Sequence, residues 1–183
     1  VLGVRAGCRR FHFAMEGERG AFLILHHGLF GSHQDWRRAG YVQALSSDFR
    51  LILPDARGHG RSDRPAEREQ YALARFSDDL VAVMNELDIR NAHFVGYSLG
   101  ALVGLDLVMR HPERVRLIML GGEAPAVTAE ARDQWRQWSA QIRERGLAAW
   151  MEAERGAGRL VAGPAPGEEA QVPALALLEA MAD

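Results

Sequence analysis

Lysine is absent from the 183-residue chain: all 22 basic residues are arginine. No side-chain amine is therefore present to form a Schiff base, to pair with serine as a general base, or to fill the phosphate-binding position of a P-loop. Cysteine is nearly absent too. Cys8 stands alone, which excludes an internal disulfide framework and accords with a reducing compartment. No apolar run approaches the roughly 18 residues of a membrane span, and the opening VLGVRAGCRR lacks a signal peptide's hydrophobic segment. The expectation is a soluble cytoplasmic protein with no membrane partner. Positive charge is not in surplus either. With 24 acidic residues the net charge is -2 and the arginines are scattered, so the electrostatic footprint of a nucleic-acid binder is missing.

What the chain does have is ordinary globular composition, 48% hydrophobic and 25% charged, in a length that buries a sizeable core without disulfides or metal. Four short apolar runs, Phe22 to His26, Arg50 to Leu53, Ala92 to Val95 and Arg116 to Leu120, alternate with helical patterns. Continuous apolarity marks strands buried on both faces, hence a parallel sheet covered by helices. Arg9 to Met15 alternates polar and apolar residues, which predicts an antiparallel edge strand. Phe76, Leu80, Val83, Met84 and Leu87 make one helical face. Leu99 to Arg110 is apolar nearly all round, as a deeply packed helix is, with Ala101 and Gly104 permitting close approach. Beyond it, Thr128 to Arg145 and Leu147 to Arg155 predict amphipathic helices, Gly156 to Pro173 a loop, and Ala174 to Met181 a short helix.

Gly96-Tyr97-Ser98-Leu99-Gly100 matches G-x-S-x-G between a predicted buried strand and a predicted buried helix. That context raises a serine on a sharp turn above the C-terminal edge of the sheet, with glycines two places to either side to make room, and aims a helix N-terminus at it. Ser98 is the candidate nucleophile, with Gly96 and Gly100 as its support and the Leu99 N–H as one oxyanion donor. The bland alternative is an ordinary turn with Ser98 capping the helix. His27-Gly28-Leu29-Phe30-Gly31 follows the first core strand, where Gly28 lets the chain turn and the Leu29 N–H is the second candidate donor; His26 and His27 read as structural. Asp55-Ala56-Arg57-Gly58-His59-Gly60-Arg61-Ser62 follows the second core strand, and Asp55, Arg57 and His59 also read as structural.

HHGLFGS, DARGHGRSD and GYSLGA, in this order and between these strands, resemble the α/β-hydrolase fold family, and within it the small esterases, lactonases and cofactor-free haloperoxidase-like enzymes. The resemblance covers about residues 9 to 122. It implies an α/β fold with a three-layer α/β/α, mostly parallel sheet over residues 1–122. Residues 123–183 would form a helical cap, to which Trp135 and Trp138 belong, and a Gly/Ala/Pro-rich tail. It implies acyl transfer from a small ester-like substrate through an acyl-enzyme on Ser98, with no cofactor and no metal. No cluster of cysteine, histidine and carboxylate stands at ligand spacing in the sequence.

Serine chemistry needs an imidazole base held by a carboxylate. The family's order is serine, acid, histidine, yet all seven histidines, His12, His26, His27, His33, His59, His93 and His111, precede residue 112. Glu123, at the end of the strand Arg116 to Leu120, is the only candidate acid, with an ordinary loop carboxylate as its alternative. Three explanations stay open: a piece of a longer hydrolase whose last strands are missing, a catalytically deficient relative that binds a small molecule, or an enzyme that recruits its base from His26, His27, His59 or a partner subunit. With the last strands missing, Arg116 to Leu120 becomes an exposed apolar sheet edge, which predicts self-association.

Overall fold

The computed structural model describes residues 2–6, 9–122, 128–158 and 174–181. Six strands form one sheet: β1 (Leu2–Ala6), β2 (Arg9–Glu16), β3 (Phe22–His26), β4 (Arg50–Pro54), β5 (Ala92–Tyr97) and β6 (Val115–Gly121). Their spatial order is β1-β2-β4-β3-β5-β6. β3, β4, β5 and β6 run parallel, while β2 is antiparallel to both β1 and β4. The four apolar runs are thus the parallel strands, each extended by a residue or two at one or both ends except Phe22–His26. The strand read from Arg9 to Met15 is antiparallel but not an edge. β1 pairs with it from Leu2↔Phe13 to Ala6↔Arg9; a five-residue strand ahead of it is too short for its own pattern to declare it.

Helices cover both faces. α1 (His33–Arg38) and α2 (Tyr41–Leu45) lie on one side, over Leu23, Leu25, Leu51 and Leu53. α1 begins on a capping box in which Ser32 and Asp35 satisfy each other's backbone amides. On the other side, α3 (Leu73–Glu86) and α4 (Leu99–Arg110) pack on Ile24, Ile52 and Phe94. α3 buries Phe76, Leu80, Val83 and Met84, the face its spacing predicts. α4 lies close on β5 because Gly104 has no side chain: a Cβ there would meet the Phe94 ring at 2.5 Å. Leu99, Ala101, Val103 and Leu107 of α4 are buried, whereas Met109 near its C-terminal end is 80% exposed, so the all-round apolarity finds cover over most of the helix but not at its last turn.

After β6 the chain builds α5 (Ala129–Arg145), capped by the Thr128 hydroxyl on the Ala131 amide, then α6 (Leu147–Gly156) and α7 (Ala174–Met181). Trp135, Ile142, Trp150, Met151 and Leu178 form a cluster with Phe30 and Leu102 of the layer beneath. These helices therefore sit directly over the loop that follows β3. Of the loop read over Gly156 to Pro173, residues 159–173 lie outside the described residues. No helix among the described residues is long and apolar enough to cross a membrane.

Candidate active site

Ser98 joins β5 to α4 with φ 51 and ψ -115. A non-glycine residue rarely occupies that region, at a cost of order 1–3 kcal/mol. It is held there by the Ser98 N–H on the Gly121 carbonyl at 2.8 Å and by the Ser98 carbonyl, which accepts from the Ala101 and Leu102 amides. The side chain makes no capping bond to the helix. The flanking glycines have a steric reason: a Cβ at Gly96 would lie 2.3 Å from the Gly100 oxygen, and one at Gly100 2.3 Å from the His26 oxygen. β3, the turn and α4 are in backbone contact at this point.

The loop after β3 lies against the same turn. A Cβ at Gly28 would stand 3.3 Å from the Ser98 Cβ and from the Tyr97 ring, so Leu29, the next residue, is at the rim of Ser98. No hydrogen bond among the described residues uses the Leu29 or Leu99 amide. Phe30 N–H is taken, donating to His59 Nε2 at 3.3 Å. A half-buried hydroxyl at a helix N-terminus, beside two uncommitted amides, is an arrangement suited to nucleophilic attack on a carbonyl and to the oxyanion that follows.

The histidines nearby are committed elsewhere. His27 contacts the Gly28 carbonyl through Nδ1 at 2.7 Å and accepts from the Ala56 amide through Nε2 at 3.0 Å. His59 uses Nδ1 on the Arg57 carbonyl at 2.9 Å and Nε2 on Phe30. Each ring must carry its proton on Nδ1 and its lone pair on Nε2, hence be neutral. Burial pushes the pKa of His27 down and those of His26 and His59 down to about 3. The ring of His26 reaches the His27 carbonyl and lines a small cavity with Phe11, Arg57, Phe76 and Asp79.

Two polar clusters support this end of the sheet. The Asp55 carboxylate accepts from His12 Nδ1 (2.7 Å), His33 Nδ1 (2.9 Å), the His33 amide (2.8 Å) and the Arg61 amide (3.0 Å). Although its own burial opposes this, these donors hold it well below the usual carboxylate range. The fold thus assembles His12, His33 and Asp55, with ligand atoms within 4.8 Å, from positions whose sequence spacing shows no cluster. Every atom that would ligate a cation already serves in a hydrogen bond here except His12 Nε2, which is buried without a partner. Below it, Arg57 makes a buried bidentate pair with Asp79 and also donates to the Gln70 and Arg75 carbonyls. Burial lifts Asp79 to about 7, with Arg57 pulling against it. Loop 55–62 is thereby anchored to α3.

Above the site, the Phe30 ring stands 5.6 Å from Trp150, which is in turn 5.6 Å from Trp138. Trp135 and Trp150 are buried in that cluster. Glu123, the candidate acid, lies outside the described residues. Two features escape sequence reasoning: the positive φ of Phe30, 62°, and the bonds of His27 and His59 across nearly thirty residues. The two glycines of HGLFG hint at a tight turn but not at which residue bears the strain.

A family model described as the alpha/beta hydrolase fold matches residues 22–148, more than half of the chain. A protein of Caulobacter sp. (strain K31), provisionally named carbamate hydrolase RutD, is 41% identical over 101 residues, covering 55% of this chain and 37% of that protein. Epoxide hydrolase 4 of Mus musculus is 29% identical over 123 residues, 66% of this chain and 34% of its own. The chain therefore spans well under half the length of these relatives. Among solved structures, a provisionally named alpha/beta hydrolase from Nostoc sp. PCC 7120 superposes with a TM-score of 0.76 at 24% identity, covering 99% of this chain and 69% of that one. At that identity the likeness concerns the fold.

Proposed function

The chain belongs to the alpha/beta hydrolase fold family, and from that premise we propose that it carries the nucleophile half of a serine hydrolase for a carboxylic ester, lactone or similar small carbonyl substrate. The observation that carries this is Ser98 at φ 51 between a buried strand and a buried helix. Its Oγ attacks the carbonyl carbon and gives its proton to a base, the Leu29 and Leu99 amides hold the oxyanion, the alcohol leaves with a proton, and water releases the acid from the acyl-enzyme. His27 and His59 are not that base, since both nitrogens of each are engaged; Glu123 is proposed as the acid. Residues 1–122 would form the core and residues 123–183 a cap. The partners are the small-molecule substrate and, along β6, a second copy of the chain.

The test uses p-nitrophenyl acetate and intact-mass spectrometry. Acetylation at Ser98 is expected in the parent and not in Ser98→Ala, and added imidazole, standing in for the base, is expected to accelerate turnover in the parent only. Equal acetylation of both proteins defeats the proposal. The commitment of the buried histidines favours one second reading, a pocket that binds a small carbonyl ligand without turning it over. Thermal stabilisation by such a ligand, with no acetylation of Ser98, is its signature.

A further inference from the structure

Tyr97, the residue before Ser98, is half exposed at the C-terminal tip of β5, yet its ring is seated on the backbone of two loops. A Cβ at Gly28, in the loop after β3, would lie 3.3 Å from ring carbon Cδ1. One at Gly122, the residue after β6, would lie 2.6, 3.0 and 3.1 Å from Cε2, Cζ and Cδ2. Cδ1 and Cε2 are opposite carbons of the ring. One side chain therefore bridges the two loops that flank the elbow, across the width of its ring. Gly122 is required on two counts, its φ of 75° and the ring beside it; a tyrosine that merely faced solvent would need no glycine at either place.

The two loops leave strands on opposite sides of β5. The loop after β3 is tied toward β4, where the Ala56 N–H donates to His27 Nε2 at 3.0 Å and the Phe30 N–H to His59 Nε2 at 3.3 Å. The end of β6 is tied to the elbow, its Gly121 carbonyl accepting from the Ser98 N–H at 2.8 Å. The pairing of β3 with β5 ends at His26↔Gly96 and that of β5 with β6 at Tyr97↔Gly121. Beyond those pairs the ring carries the spacing onward. That spacing reaches the nucleophile, because a Cβ at Gly28 would also stand 3.3 Å from the Ser98 Cβ: Gly28 is the wall beside the hydroxyl, and attack on a carbonyl depends on where that wall holds the substrate.

Resting on the reading of Ser98 as the nucleophile, we infer that Tyr97 is a positioning residue: its ring sets the spacing of the loops after β3 and β6 and thereby the place of Gly28 beside Ser98. All of its contacts on the two glycines are made by ring carbons, so the hydroxyl has no part in this role.

The test compares the full chain with Tyr97→Phe, which keeps every contacting carbon, with Tyr97→Leu, whose side chain ends at Cδ and falls short of the Cε2 and Cζ contacts with Gly122, and with Tyr97→Ala. Residual dipolar couplings of the Gly28, Leu29 and Gly122 N–H bonds report the two loops. In Tyr97→Ala and Tyr97→Leu these couplings are expected to change, and the maximal rate of Ser98 acetylation by p-nitrophenyl acetate to fall about tenfold or more with the half-saturating concentration unchanged. Tyr97→Phe is expected to recover both couplings and rate. Couplings in Tyr97→Ala identical to the parent's, or a Tyr97→Phe protein as slow as Tyr97→Ala, overturn the inference. So does a defect confined to the half-saturating concentration, the mark of a substrate contact. If the parent is not acetylated at all, the serine-hydrolase reading fails by itself and the couplings still decide whether the ring holds the loops. If Tyr97→Ala does not fold, Tyr97→Leu is held to the same outcomes. In the parent, nuclear Overhauser contacts are expected from the Tyr97 ring to the α protons of both Gly28 and Gly122, and the absence of either refutes the bridge.

Discussion

A methyl group added at position 100 would sit 2.3 Å from the His26 carbonyl oxygen, whereas one at position 28 would meet the Ser98 Cβ and Tyr97 atoms at 3.3 Å. The first contact is with backbone in the middle of the sheet and cannot yield without parting α4 from β3. Gly100→Ala is therefore expected to destabilise the fold by about 2 kcal/mol or more, read from urea midpoints. The second contact needs only a few tenths of an ångström of movement, but in the side chain that matters. Gly28→Ala is expected to change stability by less than about 1 kcal/mol and to slow Ser98 acetylation severalfold. A Gly28→Ala protein as reactive as the parent would separate the loop after β3 from the chemistry. The elbow was legible in the sequence because both its glycines and its serine are local. The buried bonds of His59 to Phe30 and of His27 to Ala56 join residues 29 apart, and nothing in either segment's own pattern announces the other.

Among the elements, β6 stands apart. It pairs with β5 along one side, and in the described sheet it is the last strand. Leu117 is 53% and Met119 61% exposed, on the face where α1 and α2 cover β3 and β4 but leave β6 open. A two-fold axis through Ile118 would set Leu117 of one copy opposite Met119 of the other and keep the two Arg116 side chains apart, a self-complementary antiparallel pairing. Sedimentation of the parent is expected to show association that Leu117→Lys with Met119→Lys abolishes, with monomer stability changed by no more than about 0.5 kcal/mol. A parent that stays monomeric at high concentration removes the edge as an interface. The edge was visible in the sequence as an apolar run with nothing strand-like after it. α1 and α2 were not: six and five residues hold too few turns for a periodic signal, and it is their contact with Leu23, Leu25, Leu51 and Leu53 that makes them helices. β1 escaped for the same reason, and with it the outermost strand of the described sheet on that side.

At the scale of the whole molecule, the polar end of the sheet makes the fold acid-sensitive. His26 and His59 are buried as neutral rings with pKa values near 3, against 6.5 when exposed. As the pH falls below 6.5 the unfolded chain binds protons that these rings refuse, so unfolding is favoured progressively down to about pH 3. His27 acts in the same direction, and Asp55, held low by its four donors, adds to the loss below its ordinary range. Asp79, raised by burial to about 7, works oppositely: its contribution is present at low pH and lost as the pH rises toward 7. As the pH falls from 7.5 to 5, Asp79 returns about 2.5 kcal/mol, which offsets part of the loss at His26 and His59. At about 1.4 kcal/mol per pH unit, each of His26 and His59 costs about 2 kcal/mol by pH 5, a large share of a typical domain's 5–15 kcal/mol. Urea unfolding at pH 7.5 and pH 5 is expected to show a stability lower by about 1–2 kcal/mol at the lower pH from these groups, with His27 adding to the loss, and His59→Gln, which removes one titrating ring while keeping an acceptor for Phe30, is expected to make the pH 5 stability about 2 kcal/mol higher relative to its pH 7.5 value than in the parent. A pH dependence identical in the parent and in His59→Gln would mean that the His59 ring accepts a proton in the folded state, and the lone pair assigned to its Nε2 would be gone with it.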